Sequence, residues 1–428
     1  MRLVTLQNLN EMIAYFLRVI FKMVQKFSNA TLNDNQQPKW VQWLNWADRR
    51  FQKIGLSAIA LSEDSLIAEA EKKAQLSDWG DSSFRPGLRA LLASIREEAN
   101  LSLTGRWLLQ NYITELLVNR LQIQATLKQH PEILDVPILR PLIITGLPRT
   151  GTTFLHRLLA QDPQFRWLRL WELIQPCPPP EPASADTDPR IQKTQALAQR
   201  YKTIAPTLSA AHLIEAQLPE EGNQLLERAF TSVLFDLRAH IPTYQSWLRA
   251  QDMRSPYQYY RQQLQLLSWQ WPGRWLLKAP CHLRDLEAML TVFPDACIVQ
   301  THRDPCAAVP SVCSLSAMFR SIFTDDLDLT MVGEDFLDMT AYAYEKGHEF
   351  RQSHPNIPIC DIDYADLVQD PLRAVEHIYQ FFGDRLSPEA TREMNQWIAA
   401  NPQGKHGVHR YSLEQFGLSE ATVRERFA

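Results

Sequence analysis

The sequence has 428 residues, of which 45% are hydrophobic and 21% are charged, and its formal net charge is −4 at pH 7. This apolar content is sufficient for one large core with an appended region. The slightly acidic balance argues against a nucleic-acid partner, whose usual mark is a basic excess on one face.

Residues 12–27 (MIAYFLRVIFKMVQKF) form the first predicted element, a helix with one apolar face. Arg18 and Lys22 interrupt an apolar run that is already too short to cross a bilayer, and a signal-peptide cleavage site is not evident. Two interpretations remain: the helix docks on the protein's own core, or it makes peripheral contact with a membrane surface. Both fit a cytoplasmic protein.

Residues 30–38 form a polar linker, and helical periodicity then extends over 40–130. We therefore predict a helical N-terminal region over 1–138 and a second unit over 139–428.

Strand and helix patterns alternate from residue 139 onward, which predicts an α/β fold with a central parallel sheet. A helical insert over about 176–272 begins with a long proline-rich loop of the kind found in lids. The predicted strands are LIIT (142–145), RWLLK (274–278), ACIVQT (296–301) and IPICDI (357–362).

The six cysteines are irregularly spaced, without a CxxC pair or a Cys/His cluster at metal-ligand spacing. We predict buried thiols in a reducing compartment and no metal site. The cysteines are Cys177, Cys281, Cys297, Cys306, Cys313 and Cys360.

The first strand leads directly into the loop GLPRTGTT (146–153) and a helical FLHRLL. Gly146 and Gly151 allow the backbone to turn, and a helix N-terminus behind such a loop favours an anion. The loop has the outline of a Walker A motif, but Thr152 stands where the lysine belongs and a cation comes earlier, at Arg149. This arrangement suits a shorter phosphate that carries one transferable group.

The segment PRTGTTFLHRLL resembles the 5′-phosphosulfate loop of sulfotransferases that use 3′-phosphoadenosine 5′-phosphosulfate (PAPS). The resemblance implies a P-loop-like three-layer fold and PAPS as co-substrate, with no metal required. It also implies that the loop binds the donor, with Arg149 assisting catalysis. The implied donor contacts in this loop are Arg149, Thr150, Gly151, Thr152 and Thr153.

A second segment, CIVQTHRDPCAAVPS (297–311), resembles the 3′-phosphate element of the same family. In that element an arginine ends a strand and a serine follows eight residues later, as Arg303 and Ser311 do here. Asp304 and Pro305 are a favourable N-cap and first helical residue. The strand end would deliver Arg303 to the edge of the sheet where ligands bind in α/β folds.

The resemblance covers about 139–417 and is greatest to bacterial-type enzymes with small-molecule or lipid-like hydroxyl acceptors. Residues 404–417 are similar to a C-terminal loop that closes over the donor. Lys405, Gly407 and Arg410 are therefore candidate donor contacts, and the alternative is an ordinary basic surface loop.

Transfer of a sulfuryl group by in-line displacement requires positive charge at the sulfonate and a base for the acceptor proton. Lys278 ends a predicted strand and is followed by Ala-Pro, which is similar to a Lys-x-Pro element of the family that places the lysine near the bridging oxygen. The alternative is a lysine that simply extends from a strand end to solvent.

The base is less clearly marked. Glu172 is the favoured base: it lies in the apolar segment LRLWELIQP, which would raise its pKa, and about twenty residues after the loop, where some sulfotransferases have a catalytic glutamate. His282 follows Lys278 by four residues, whereas cytosolic members have their histidine two residues after the lysine. His212 and Glu221, in the insert, are further choices.

Aromatic residues are frequent in and near the insert, and such a set forms either part of the core or the wall of an acceptor pocket. A pocket of this kind would suit a hydrophobic alcohol or phenol. The residues are Trp167, Trp171, Tyr244, Trp247, Tyr257, Tyr259 and Tyr260.

Two other functions are compatible with parts of this pattern. A P-loop nucleotide kinase or NTPase would need the missing Walker lysine and magnesium. A non-catalytic membrane-associated binding protein would keep the N-terminal helix but would not need Lys278 or Arg303.

Overall fold

A computed structural model describes residues 59, 61–204, 214–402 and 411–428, with the side chains of 200–204 left aside. The predicted helix at 12–27 lies outside the described residues. The same holds for His212, Lys405, Gly407 and Arg410.

The described part of the chain consists of five strands, a set of α-helices and short 3-10 turns. The strands are β1 (Leu142–Gly146), β2 (Phe165–Trp167), β3 (Arg274–Lys278), β4 (Cys297–His302) and β5 (Ile359–Asp363). The helices are α1 (Glu63–Ala74), α2 (Phe84–Glu98), α3 (Leu103–Gln129), α4 (Thr152–Leu159), α5 (Leu170–Ile174), α6 (Pro189–Ile204), α7 (Asn223–Glu227), α8 (Pro242–Arg249), α9 (Arg254–Ser268), α10 (Leu286–Val292), α11 (Pro305–Arg320), α12 (Leu329–Ser353), α13 (Tyr364–Gln369), α14 (Pro371–Phe382), α15 (Pro388–Ala400) and α16 (Glu420–Arg426). The 3-10 turns are Pro131–Asp135, Pro182–Ser184, Val233–Phe235, Pro280–Asp285 and Glu414–Phe416.

The five strands form one parallel sheet in the order β2-β3-β1-β4-β5. The α/β class and the four predicted strands are confirmed. Leu142 pairs with Leu276 on one side and with Cys297 on the other, so the carboxyl ends of β1, β3 and β4 meet at one edge. The edge strand β2 was not predicted, because three residues are too few to show a period.

Alternate residues of the central strands face two different helical layers, as the period of a strand requires. Ile143 and Leu277 pack with the layer that includes α1, α2, α3 and α9. Ile144 and Leu276 pack with α4, α14 and α15 on the opposite face. The helices α1 to α3 therefore share a continuous core with the sheet, while the division at 138/139 stays a prediction.

Two further features bear on the sequence-based expectations. All six cysteines lie in described ranges and carry free thiols; four are buried as expected, whereas Cys177 and Cys306 are half-buried. Across the described ranges, no helix combines the length and apolar character needed to span a bilayer, and no group of three or more His, Cys, Asp or Glu residues is arranged to hold a metal ion.

Candidate active site

The loop between β1 and α4 has an unusual backbone that depends on its glycines. Gly146, Arg149 and Gly151 have φ values of 135°, 69° and 91°. A Cβ atom on Gly146 would lie 2.5 Å from the carbonyl oxygen of Thr301, so both the conformation and the space require glycine. A left-handed arginine between two such glycines is the kind of backbone strain that persists at binding sites.

Thr150 stabilises this loop from the inside. Its side chain is fully buried, and its hydroxyl donates to the Leu147 carbonyl oxygen over 2.7 Å. The same hydroxyl lies 2.5 Å from that of Thr301 on β4. Thr150 therefore fixes the loop to the neighbouring strand, and it would meet a bound anion only through its backbone.

The two predicted donor-binding segments meet at the carboxyl edge of the sheet. Arg149 Nε donates to Ser311 Oγ over 3.0 Å, and Arg303 Nη1 donates to the Arg149 carbonyl oxygen over 2.9 Å. Asp304 caps α11 by accepting from the backbone N–H of Cys306, as predicted, and this fixes the helix that carries Ser311. Hydrogen-bond donors from two segments about 150 residues apart in sequence therefore lie close together at this edge.

The Arg303 guanidinium lies 4.2 Å from the centre of the Tyr364 ring. Sequence reasoning missed Tyr364, although it follows β5 directly and so lies at the same sheet edge. Such cation–π stacking restrains the position of the arginine side chain.

Arg303 also lines a pocket of about 460 Å³. Residues of α12 and α16 line this pocket at the carboxyl edge of the sheet, which the sequence did not indicate. Its other walls include Leu147, Thr301, Tyr344, Arg424 and Phe427.

Lys278 lies at the end of β3 with only 2% of its side chain exposed. Its Nζ donates to Thr153 Oγ1 over 3.3 Å, and it forms a close ion pair with Glu221. Thr152 and Thr153 occupy the first turn of α4. The predicted lysine and the predicted anion loop are therefore in direct contact.

Glu221 is the acidic side chain that meets this lysine. One carboxylate oxygen contacts Lys278, and the other accepts from Asn223 Nδ2 over 2.9 Å. The Gly222 N–H donates to the Lys278 carbonyl oxygen over 3.0 Å, which ties the insert to the end of β3. Glu221 keeps 22% of its side chain exposed, so solvent or a substrate can reach it.

The surroundings of Glu172 are different. Its side chain is fully buried, and one oxygen accepts from Arg166 Nη2 over 2.9 Å. The other oxygen accepts from the Arg169 backbone N–H over 3.1 Å, which closes the N-terminus of α5. Burial lowers the pKa of Arg166 to about 10 in spite of this carboxylate. The Glu172 side chain has no exposed surface that an acceptor hydroxyl could reach, so the geometry argues against the expectation that Glu172 is the base.

His282 lies in the core. It is 1% exposed, and its Nδ1 is 2.7 Å from the Tyr257 hydroxyl. Burial lowers the pKa of His282 to about 3, so its imidazole is neutral at physiological pH. This position makes a structural role more fitting than that of a base.

The aromatic residues of the insert belong to the core more than to an open pocket. Tyr244, Tyr257 and Tyr260 are at most 1% exposed and lie in the main hydrophobic cluster, against which Trp247 and Tyr259 pack. Trp171 is also fully buried, whereas Trp167 is half-buried beside the Arg169 guanidinium. Of the two interpretations, the structure favours the core.

Residues 141–421 match the sulfotransferase family. Among characterised proteins, the chain is similar to omega-hydroxy-beta-dihydromenaquinone-9 sulfotransferase Stf3 of Mycobacterium bovis and Mycobacterium tuberculosis. It is 22% identical to each over 292 residues, which is 64% of this chain and 71% of each relative.

Two solved structures resemble most of the molecule. Sulfotransferase STF1 from Mycobacterium tuberculosis has a TM-score of 0.78 and 35% identity, covering 86% of this chain and 98% of that one. Sulfotransferase STF9 from Mycobacterium avium has a TM-score of 0.80 and 30% identity, covering 86% and 95%.

Proposed function

This chain belongs to the sulfotransferase family, and we propose that it transfers a sulfuryl group from PAPS to a hydroxyl of a small-molecule or lipid-like acceptor. The observation that carries the proposal is the junction of the loop after β1 with the start of α11. Arg149, Arg303 and Ser311 are joined by hydrogen bonds there, and Lys278 contacts Thr153 at the end of the same loop. This arrangement would suit a donor that carries two phosphates.

The residue types fit a nucleotide with a phosphate at each of two positions. Arg149 and the N–H groups of the first turn of α4 would hold the 5′-phosphosulfate, because such N–H groups have no partner within their own helix. Arg303 and Ser311 would hold the 3′-phosphate, since an arginine fork suits a phosphate and a serine hydroxyl can donate to one. Lys405, Gly407 and Arg410, outside the described residues, stay predicted contacts.

Lys278 is suited to stabilise the charge that develops during transfer. PAPS supplies a sulfuryl group on a good leaving group, and the S–O bond to the acceptor forms as the bond from sulfur to the 5′-phosphate oxygen breaks. Negative charge grows on that phosphate oxygen, and a lysine with 2% exposure acts there with little screening by water. Its contact with Thr153 supports a position next to the loop that would hold this phosphate.

Glu221 is the proposed proton acceptor in place of Glu172. It is partly exposed, it is in contact with Lys278, and a carboxylate takes a proton from a hydroxyl that lies within hydrogen-bond reach. Proton transfer to Glu221 would leave the acceptor oxygen free to attack sulfur.

The acceptor is proposed to be a hydroxyl on a lipid-like molecule. The support is the name of the Stf3 relatives, which describes an omega-hydroxylated menaquinone as their substrate. Because the identity is 22%, the class of acceptor is carried over and not the individual compound.

Calorimetry tests the donor. We expect 3′-phosphoadenosine 5′-phosphate, the product of PAPS, to bind without metal, and adenosine 5′-phosphate to bind more weakly. Tight binding of ATP with magnesium together with no binding of the 3′-phosphorylated nucleotide would replace the proposal with a kinase or NTPase function.

Sulfur-labelled PAPS tests the acceptor. The protein is incubated with omega-hydroxylated prenyl quinones in detergent, and in parallel with simple phenols and short alcohols. Labelled ester in the lipid arm supports the lipid-like class. Labelled ester only in the phenol or short-alcohol arm would contradict that class while keeping the sulfotransferase activity.

A further inference from the structure

The carboxylate of Glu221 is held by a short chain of buried side chains that the sequence did not reveal. Asn223 Nδ2 donates to Glu221 Oε2 over 2.9 Å, and the Cys281 thiol lies against Asn223 Oδ1, which accepts from it. Asn223 is 3% exposed and Cys281 is 8% exposed, so water competes little with either hydrogen bond.

The Cys281 thiol determines which groups donate and which accept in this series of hydrogen bonds. Burial raises the pKa of the Cys281 thiol well above its ordinary range, so the sulfur keeps its proton and acts as donor. Only the oxygen end of the Asn223 amide can accept that proton, so the NH₂ end must face Glu221. If the amide turned over, its oxygen would face a carboxylate oxygen, and two acceptors would repel each other.

Cys281 and Asn223 belong to two segments of the protein that meet at Lys278. Cys281 follows β3 in the 3-10 turn Pro280–Asp285, and Asn223 begins α7 in the insert. Between them, Gly222 donates its N–H to the Lys278 carbonyl oxygen. A Cβ atom on Gly222 would overlap the Tyr260 hydroxyl, so the insert can approach β3 this closely only with glycine there.

We propose that Asn223 and Cys281 are positioning residues that orient the Glu221 carboxylate for proton transfer. The inference rests on the proposed function of Glu221 as proton acceptor. Lys278 holds one carboxylate oxygen and Asn223 holds the other, so the plane of the carboxylate is fixed. Without the amide, the carboxylate can rotate and place both oxygens on the lysine.

Such a role predicts a loss of turnover without a loss of donor binding. A displacement of about 1 Å in a reacting group can cost on the order of 100-fold in rate. We therefore expect Asn223→Ala to lower kcat by roughly 10- to 100-fold. Affinity for 3′-phosphoadenosine 5′-phosphate should change by less than about twofold, because the pair does not belong to the proposed phosphate sites.

Cys281 offers a matched pair of variants that tests the direction of the hydrogen bond. Cys281→Ala removes the donor that holds the amide oxygen, so that Asn223 is held on the Glu221 side alone, whereas Cys281→Ser keeps an O–H donor at nearly the same place. We expect Cys281→Ala to lower kcat and Cys281→Ser to restore most of that loss. Each variant is first shown to be folded by its thermal midpoint and by calorimetric binding of 3′-phosphoadenosine 5′-phosphate.

The outcomes separate this inference from the function on which it rests. Turnover in Cys281→Ala equal to that of the wild type, or nucleotide affinity that falls in parallel with kcat in Asn223→Ala, would overturn the positioning role. If Glu221→Gln itself keeps full turnover, Glu221 is not the proton acceptor, and the proposed function of that residue fails first. A loss in Glu221→Gln with full turnover in Asn223→Ala would overturn the positioning role alone.

Discussion

Arg303 donates from Nη1 to the backbone carbonyl oxygen of Arg149 over 2.9 Å, although 154 positions separate the two residues in sequence. Arg149 in turn donates from Nε to Ser311, which lies on the helix that follows Arg303. The loop after β1 and the start of α11 therefore hold each other in place. Because each contains groups proposed to bind one phosphate, this mutual contact would fix the spacing between the two proposed phosphate sites.

Replacement of Arg303 tests the 3′-phosphate contact. Arg303→Ala should weaken binding of 3′-phosphoadenosine 5′-phosphate by about 1.5–3 kcal/mol, because a charge-assisted hydrogen bond is removed. Binding of adenosine 5′-phosphate, which lacks the 3′-phosphate, should change much less. Titration calorimetry of both nucleotides measures the difference.

Arg351→Ala is the matched control for Arg303, since this arginine pairs with Asp361 on β5 over 2.6 Å and lies outside the proposed phosphate sites. It should leave both nucleotide affinities unchanged. An equal loss for the two nucleotides in Arg303→Ala would show that the arginine shapes the loop through Arg149 and does not select the 3′-phosphate.

Replacement of Lys278 separates chemistry from binding. Lys278→Ala should reduce kcat by roughly 100- to 1,000-fold, because it removes a desolvated positive charge from the proposed leaving oxygen. Nucleotide affinity should fall far less. Steady-state rates with labelled PAPS and calorimetry give the two numbers, and Lys346→Ala, a surface lysine paired with Glu349, serves as control. A defect confined to nucleotide affinity would remove Lys278 from the catalytic step.

Much of the fold was accessible from sequence because the signals are local. Four buried strands were long enough to show as apolar runs, and Gly146 and Gly151 marked the turn that the backbone makes with positive φ. The three-residue strand β2 gave no such signal. The shared core of the N-terminal helices and the sheet was also invisible, since it depends on which apolar faces meet in space.

The acidic residues show where sequence reasoning stops. Glu172 was favoured for its apolar neighbours, but the same neighbourhood holds Arg166, which neutralises the carboxylate in the core. Glu221 lies 57 positions from Lys278 in a long insert, and no local pattern indicates that the insert returns to the end of β3. The backbone contact between Gly222 and Lys278 that brings it there is a product of the tertiary fold.

The two glutamates should differ in what the same substitution does to turnover. Glu221→Gln should lower kcat by roughly 100- to 10,000-fold, because it removes a general base, and it also takes the counter-charge from the buried Lys278. Glu172→Gln should lower the free energy of unfolding by about 3–5 kcal/mol, because it leaves Arg166 buried without its counter-charge. Urea unfolding and initial rates measure both effects.

Glu215→Gln, an exposed acid in the same insert, is the control for this pair and should change neither quantity. A stable Glu172→Gln protein that has lost turnover would return the base to Glu172. Unimpaired turnover in Glu221→Gln would remove Glu221 from the reaction.

Two fully buried histidines connect the stability of the fold to pH. Burial lowers the pKa of both His156 and His282 to about 3, and for His156 the nearby charge of Lys278 adds to the effect. Their ordinary pKa is 6.5, so between about pH 3 and pH 6.5 the unfolded chain binds protons that the folded chain does not. The free energy of unfolding therefore keeps the full contribution of these two neutral histidines above about pH 6.5. It loses that contribution as the pH falls through this window.

Each of these histidines should contribute a slope of up to about 1.4 kcal/mol per pH unit to the free energy of unfolding near pH 5. We expect His156→Gln and His282→Gln each to flatten that slope, even where the absolute stability falls because His282 loses its hydrogen bond with Tyr257. Urea unfolding at several pH values from 4.5 to 8 measures the slope, and His377→Gln, at an exposed position of α14, should leave it unchanged. A slope that persists in the double variant would mean that other groups, such as paired carboxylates, dominate the acid sensitivity.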